Sequence, residues 1–188
     1  MRRSIAPRAW PVQIARMKKA AAALLLSCLA TPAFAEWRLD EGVAIVEPAE
    51  TNSTVELLAV MCGDPFLIEV YSRGGPVMPA SGDVPAEYFY LPGKVRALVD
   101  TSTYPLTAAG SDAAVVLFGE GGKSDSYMAA IPIGLIEALK GGVNLTLGFD
   151  VTADKAADGS VFETFATFPL EGSRAVIEEA LKDCTNTN

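Results

Sequence analysis

The sequence predicts a mainly β, α+β domain: an antiparallel β-sandwich or barrel-like fold of about eight strands with two short helices, the last C-terminal. Three observations predict it. Short apolar or alternating runs recur between residues 43 and 168, most of them bounded by Gly, Pro, Asn or Asp. Only two segments carry a helical period, and both fall late in the chain. Two cysteines, Cys62 and Cys184, bracket nearly all of these elements.

The first 35 residues stand apart from this pattern. Arg2, Arg3, Arg8, Arg16, Lys18 and Lys19 precede an apolar run over 20–30, and Ala33-Phe34-Ala35 stands in front of Glu36. A basic head, a short apolar middle and an A-x-A exit are the parts of a secretory signal peptide, so cleavage after Ala35 is expected. The run is shorter than the ~20 residues a membrane-crossing helix needs, and no membrane span is predicted. Met17 is a second candidate start. Leu25-Leu26-Ser27-Cys28 also resembles a lipobox, in which Cys28 would be acylated; the signal-peptide reading treats Cys28 as one more apolar residue. A single domain over 36–188 remains, in a periplasmic location.

The first strand is expected between Trp37 and Val46, stopped by Pro48. Residues 53–62 read as a central strand, because Leu58, Val60 and Cys62 alternate with Leu57, Ala59 and Met61 and both faces are apolar. Gly63-Asp64-Pro65 turns the chain into a partner strand over 66–71, and the two are expected to form a hairpin. A loop rich in Gly and Pro follows over 74–85. Val95, Ala97 and Val99 then share one face of a strand over 94–100. Further strands are expected at 104–106 and 113–118, with a small-residue turn at Ala109-Gly110-Ser111-Asp112 between them.

Residues 132–140 predict a helix with Ile133, Ile136 and Leu139 on one face, closed by Gly141-Gly142. Leu145, Leu147 and Phe149 alternate along the next strand, and Asp158-Gly159 connects it to an aromatic strand over 161–168. The closing helix takes Ser173 as N-cap and buries Val176, Ile177, Ala180, Leu181 and Cys184.

Charge excludes some partners. The chain has 15 basic and 23 acidic residues; six basic ones lie before residue 20, leaving 9 against 23 after cleavage, a net charge of −14. A surface of that sign argues against nucleic acid and anionic lipid. In an oxidising compartment two remaining cysteines have one possible pairing, Cys62 with Cys184. Such a bridge is worth about 2–4 kcal/mol. The alternative, a reactive Cys62, has no basic neighbour in sequence to lower its pKa.

The chemistry available is narrow. Histidine is absent, which removes Ser-His-Asp and Cys-His nucleophile pairs and imidazole metal sites. What remains for an enzyme is a carboxylate pair or a Lys123/Ser124 dyad in the glycine-rich loop over 119–126. Gly122-Lys123-Ser124 imitates the end of a phosphate-binding loop, but Leu117 stands where the leading glycine belongs. Asp150, Asp154 and Asp158 are spaced by four rather than by two, unlike a calcium-binding helix-loop-helix. No cofactor or metal motif is found, and no catalytic residue is assigned. Asn52 and Asn144 begin glycosylation sequons, without consequence behind a bacterial signal. Tyr88, Tyr90 and Tyr127, with the loop over 119–126, are the candidate partner surface, since tyrosine joins a flat apolar ring to a polar tip.

The second half carries recurring phrases: Val95 to Asp100, Leu139-Lys140-Gly141-Gly142, Leu145 to Phe149, and Pro169-Leu170-Glu171-Gly172-Ser173. In that order they resemble the invasion-associated locus B family of small periplasmic proteins, with a strand ending in Asp, a Lys-Gly helix end and a late L-x-G turn into a helix. A terminal cysteine after such a helix, paired with one on an early strand, is also similar to a periplasmic accessory protein of type VI secretion clusters. The resemblance implies a periplasmic β-sandwich that binds another envelope protein or a glycan, with no catalytic residues to carry over. The rival expectation is a periplasmic hydrolase using carboxylates or Lys123 and Ser124, and a cleft gathering two carboxylates, one with a raised pKa, would favour it.

Overall fold

The computed structural model describes residues 35–72, 88–111, 114–121, 129–155 and 157–184. Cys28, Lys123, Ser124, Tyr127 and the side chain of Tyr88 lie outside the described residues. In chain order the elements are β1 (Arg38–Asp40), β2 (Val43–Val46), β3 (Glu50–Thr51), β4 (Val55–Cys62), β5 (Phe66–Ser72), a 3₁₀ turn (Tyr88–Tyr90), β6 (Val95–Val99), β7 (Ser102–Ser111), β8 (Ala114–Gly119), α1 (Ile133–Gly141), β9 (Asn144–Lys155), β10 (Val161–Pro169) and α2 (Ser173–Leu181). The mainly β class and the C-terminal helix are as the sequence predicts.

All ten strands belong to one antiparallel sheet in the order β1-β2-β4-β5-β8-β7-β6-β9-β10-β3. Two of them exceed the expected set, and both are too short to show a period. The predicted first strand is split by a tight turn at Glu41 and Gly42, whose φ values of 48° and 87° suit a two-residue hairpin. The other, β3, lies in sequence between β2 and β4 yet pairs with β10 at the opposite end of the sheet. That crossing brings the two ends of the sheet together without a ladder joining them. The result is a continuous, barrel-like sheet with an open seam.

Alternation along the strands puts one face inward. Val60, Ile68, Leu117 and Ala108 form one row across β4, β5, β8 and β7, and Val99, Leu145 and Phe168 form another across β6, β9 and β10. All of these are buried in a single core with Leu135, Ile136 and Leu139 of α1 and Ile177, Ala180 and Leu181 of α2. Each fully buried large aliphatic or aromatic side chain contributes about 1.5–3 kcal/mol. A bulge at Glu56 lets Val55 join the inner face beside Ser72.

Several local expectations change. Ile133 is 58% exposed and Leu135 takes its place in the core, because the buried stripe of α1 begins two residues later. Gly110 and Ser111 belong to β7 rather than to a turn; a Cβ on Gly110 would sit 2.4 Å from the carbonyl of Ala114, so the strands approach there too closely for a side chain. The strand β9 runs to Lys155, five residues past the expected end at Asp150. Gly172, with φ of 79°, holds the N-cap position of α2. Ser173 is instead buried and its hydroxyl donates to the carbonyl of Leu139 at 2.7 Å, tying the two helices together.

Cys62, at the end of β4, and Cys184, just past α2, form a disulfide with their Cα atoms 5.2 Å apart. The closing helix is thereby fastened to the sheet, as the pairing of two cysteines across an oxidised chain requires.

Candidate functional site

The ends of β6 and α1, the start of β9 and the turn that leaves β10 meet in one place. Asp100 follows β6 with φ of 53°, a conformation Asp tolerates better than most residues. Its carboxylate accepts the backbone N–H of Val143 at 3.1 Å and that of Asn144 at 3.1 Å. The N–H of Leu170 donates to the carbonyl of Val143 at 2.8 Å. Gly142 is packed beneath them: a Cβ there would lie 2.6 Å from Val99 and 3.0 Å from Leu170. The indole N–H of Trp37 completes the knot, donating to the carbonyl of Pro169 at 2.7 Å. Every one of these groups is spent on holding backbone to backbone. The knot is architecture.

A second constellation, on the outer face, does hold titratable chemistry. Lys94, next to β6, pairs with Asp150 of β9 at 2.8 Å, and Arg96 of β6 pairs with Glu163 of β10 at 2.6 Å. The register sets Glu163 directly opposite Asp150. Gly148 makes room for the group, since a Cβ there would stand 2.2 Å from a Glu163 carboxylate oxygen. Burial pushes the Glu163 carboxyl above its ordinary range; Arg96 opposes that and Asp150 adds to it. The Oδ1 of Asp150 is buried without a hydrogen-bond partner among the described residues.

This is the pair of carboxylates, one raised, that the hydrolase expectation asks for. Each acid already carries its own base, and the four charges cancel. Three surface depressions, lined by residues 35–38, 47–49 and 169, by Glu47, Pro48, Glu56 and Leu57, and by Tyr90 with residues 108–110, contain neither carboxylate. The one sequence signal for this quartet was Gly148, a glycine inside a clean alternation, which marks a close approach.

The other candidate residues are not brought together by the described structure. Tyr90 is half-buried, its ring 4.3 Å from that of Phe89, and it borders a depression of about 220 Å³ with Ala108, Ala109 and Gly110. Asp158 is exposed and accepts the N–H and hydroxyl of Ser160, which hold its carboxyl below the usual range and close the hairpin tip as an Asx turn. Asp150 is engaged with Lys94, so it and Asp158 serve separate sites. Among the described residues no group of three or more His, Cys, Asp or Glu could hold a metal ion, and no helix is long and apolar enough to cross a membrane.

The largest of the three depressions lies at the open seam. It has a volume of about 710 Å³ and is walled by Ala35, Glu36, Trp37, Arg38, Pro169 and the link over 47–49. Its neighbour, of about 510 Å³, shares Glu47 and Pro48 and adds Glu56 and Leu57. Comparison with protein-family models, curated proteins and solved structures returned no match.

Proposed function

We propose that this chain is an exported, non-enzymatic binding or accessory module of the bacterial envelope, akin to the small periplasmic proteins of the invasion-associated locus B family. The observation that carries this reading is the Cys62–Cys184 disulfide, because a structural bridge of this kind belongs to an oxidising compartment. It agrees with the basic, apolar and A-x-A succession ahead of Glu36. The neutralised quartet supports the non-enzymatic half: a general acid or base held in an ion pair is poorly placed to exchange protons with a substrate.

Two measurements test the two halves. Osmotic-shock fractionation of cells making the full chain, followed by thiol labelling, should find it in the periplasmic fraction with Cys62 and Cys184 unreactive; a cytoplasmic protein with free thiols would overturn export. In-cell cross-linking should capture an envelope protein that saturates with expression. The second reading, a hydrolase, is favoured only by the raised Glu163 beside Asp150. Turnover of a peptide, ester or glycoside substrate by the purified domain, abolished in Glu163→Gln, would establish it in place of the first.

A further inference from the structure

We infer that the free edge of β1 pairs with the same edge of a second copy of this chain. The pairing does not depend on the envelope role above. Edge geometry comes first. β1 is the terminal strand of the sheet, and its three residues, Arg38, Leu39 and Asp40, are all exposed. Asp40 and Val43 flank the two-residue turn at Glu41 and Gly42, where both φ values are positive. In such a hairpin the flanking pair exchanges backbone hydrogen bonds and the next pair does not. Leu39 and Ala44 are that next pair, so the N–H and carbonyl of Leu39 turn away from β2 to the open side. There they are placed to bond an added strand.

Charge then selects the partner and its register. A two-fold axis across the edge sets identical strands antiparallel. Centred on Arg38 it would oppose arginine to arginine, and centred on Asp40, carboxylate to carboxylate. Centred on Leu39 it sets Arg38 of each copy opposite Asp40 of the other, on the same face of the joined sheet. The outward groups of Leu39 then bond their counterparts across the axis, and the two leucine side chains, each 45% exposed in the single chain, meet on the other face. Both charges are free to take part. Among the described residues Asp40 has no ion-pair partner, and Arg38 pairs with Glu47 at 3.4 Å, exposed on both sides and therefore weakly. Like charges along an edge would repel its own copy; this edge alternates them. Because Arg38 also lines the larger depression, the pairing sets that depression beside its counterpart in the second copy. A three-residue edge is small against the ~1,600 Å² of a standard interface, so the dimer is weak and forms only at high concentration.

Sedimentation velocity of the protein purified from expressing cells reads the association, from about 5 to about 500 µM. Salt at about 0.15 M screens the overall acidity of the chain beyond about 8 Å. The parent is expected to shift reversibly from monomer toward dimer across that range. Arg38→Asp leaves acids at both positions that flank Leu39, and Asp40→Arg leaves bases at both. Each alone should weaken association by about tenfold or more. An equimolar mixture of the two restores opposite charges across the strand pair, and so does the exchanged double variant Arg38→Asp/Asp40→Arg; both should associate within about threefold of the parent. Leu39→Pro removes the outward N–H and leaves the β2 ladder its bonds, and it should abolish association. Unfolding curves of all variants are expected to match the parent, as these positions are exposed; if Leu39→Pro fails this, the charge series decides alone. A parent that stays monomeric throughout would overturn the pairing. So would a dimer indifferent to the charge reversals, or a loss that the mixture and the exchanged variant do not both recover.

Discussion

The knot around Gly142 and the quartet around Gly148 each hang on a glycine, and they use it in opposite ways. At Gly142 the missing side chain lets Val99 and Leu170 close over the backbone, and the polar groups nearby are backbone amides and carbonyls satisfied at short range. At Gly148 the missing side chain leaves room for a carboxylate, and the neighbours are ionised side chains on three strands. The first arrangement is held by backbone amides and carbonyls and by the Asp100 carboxylate, whose role is to accept two of those amides. The second depends on pH and salt. Stability should be concentrated in the knot, and responsiveness in the quartet.

Four substitutions probe that contrast. Trp37→Ala should have the largest effect. It removes a buried indole and orphans the carbonyl of Pro169 at the seam, and losses of about 3–5 kcal/mol are usual for such truncations. Urea unfolding followed by circular dichroism measures it, and a loss below about 1 kcal/mol would show that the seam is not held at Trp37. Opening the Cys62–Cys184 bridge by paired Ser substitutions should cost about 2–4 kcal/mol. The bridge belongs to neither region, so it calibrates both; a midpoint that ignores dithiothreitol in the parent protein would contradict the expectation.

Gly142→Ala comes next. The added Cβ meets Val99 and Leu170 at overpacking distance, for which about 1–3 kcal/mol is typical. The loss should be the same at pH 5 and pH 8, and a pH-dependent loss would mean that the knot is coupled to titrating groups after all. Glu163→Gln should be the smallest change, under about 1 kcal/mol because its partner Arg96 is half exposed and screened. Its sign is the informative part. A carboxyl raised in the folded state is bound to its proton more tightly there than in the unfolded chain. Its contribution is therefore fully present below the ordinary carboxylate value, about 4.3 for Glu, and is lost as pH rises through the folded value. The variant should match the parent in acid and become relatively more stable toward neutrality. A variant that instead loses stability only toward neutrality would show that the Arg96 pairing outweighs burial.

Much of the fold was legible because alternation is a local property. Val95, Ala97 and Val99, then Leu145, Leu147 and Phe149, face the core in the strands where their spacing puts them. Asp100, Gly142 and Leu170 also stood out in the sequence, although their convergence was not visible there. The misplaced details have one cause. Ser173 has the composition of an N-cap, yet a neighbouring helix end offers its hydroxyl a buried acceptor, and tertiary context prevails over local preference. Ile133 fits an apolar stripe by spacing, but a stripe has two edges and only packing decides which one is covered.

The quartet left almost no trace. Lys94, Arg96, Asp150 and Glu163 are spread over some seventy positions with no common spacing, and only the β6-β9-β10 register makes them neighbours. The seam was equally hidden, since β3 is two residues long and its partner lies more than a hundred positions away.

By itself the sequence located most of the strands and the two late helices, because periodicity acts over a few residues, and it named Cys62 and Cys184 as partners on the reading that Cys28 leaves with the signal peptide. The tertiary structure alone decided where the sheet fails to close, and which charges share a face. Those outcomes depend on register and on contacts between distant segments, and neither leaves a period in the chain.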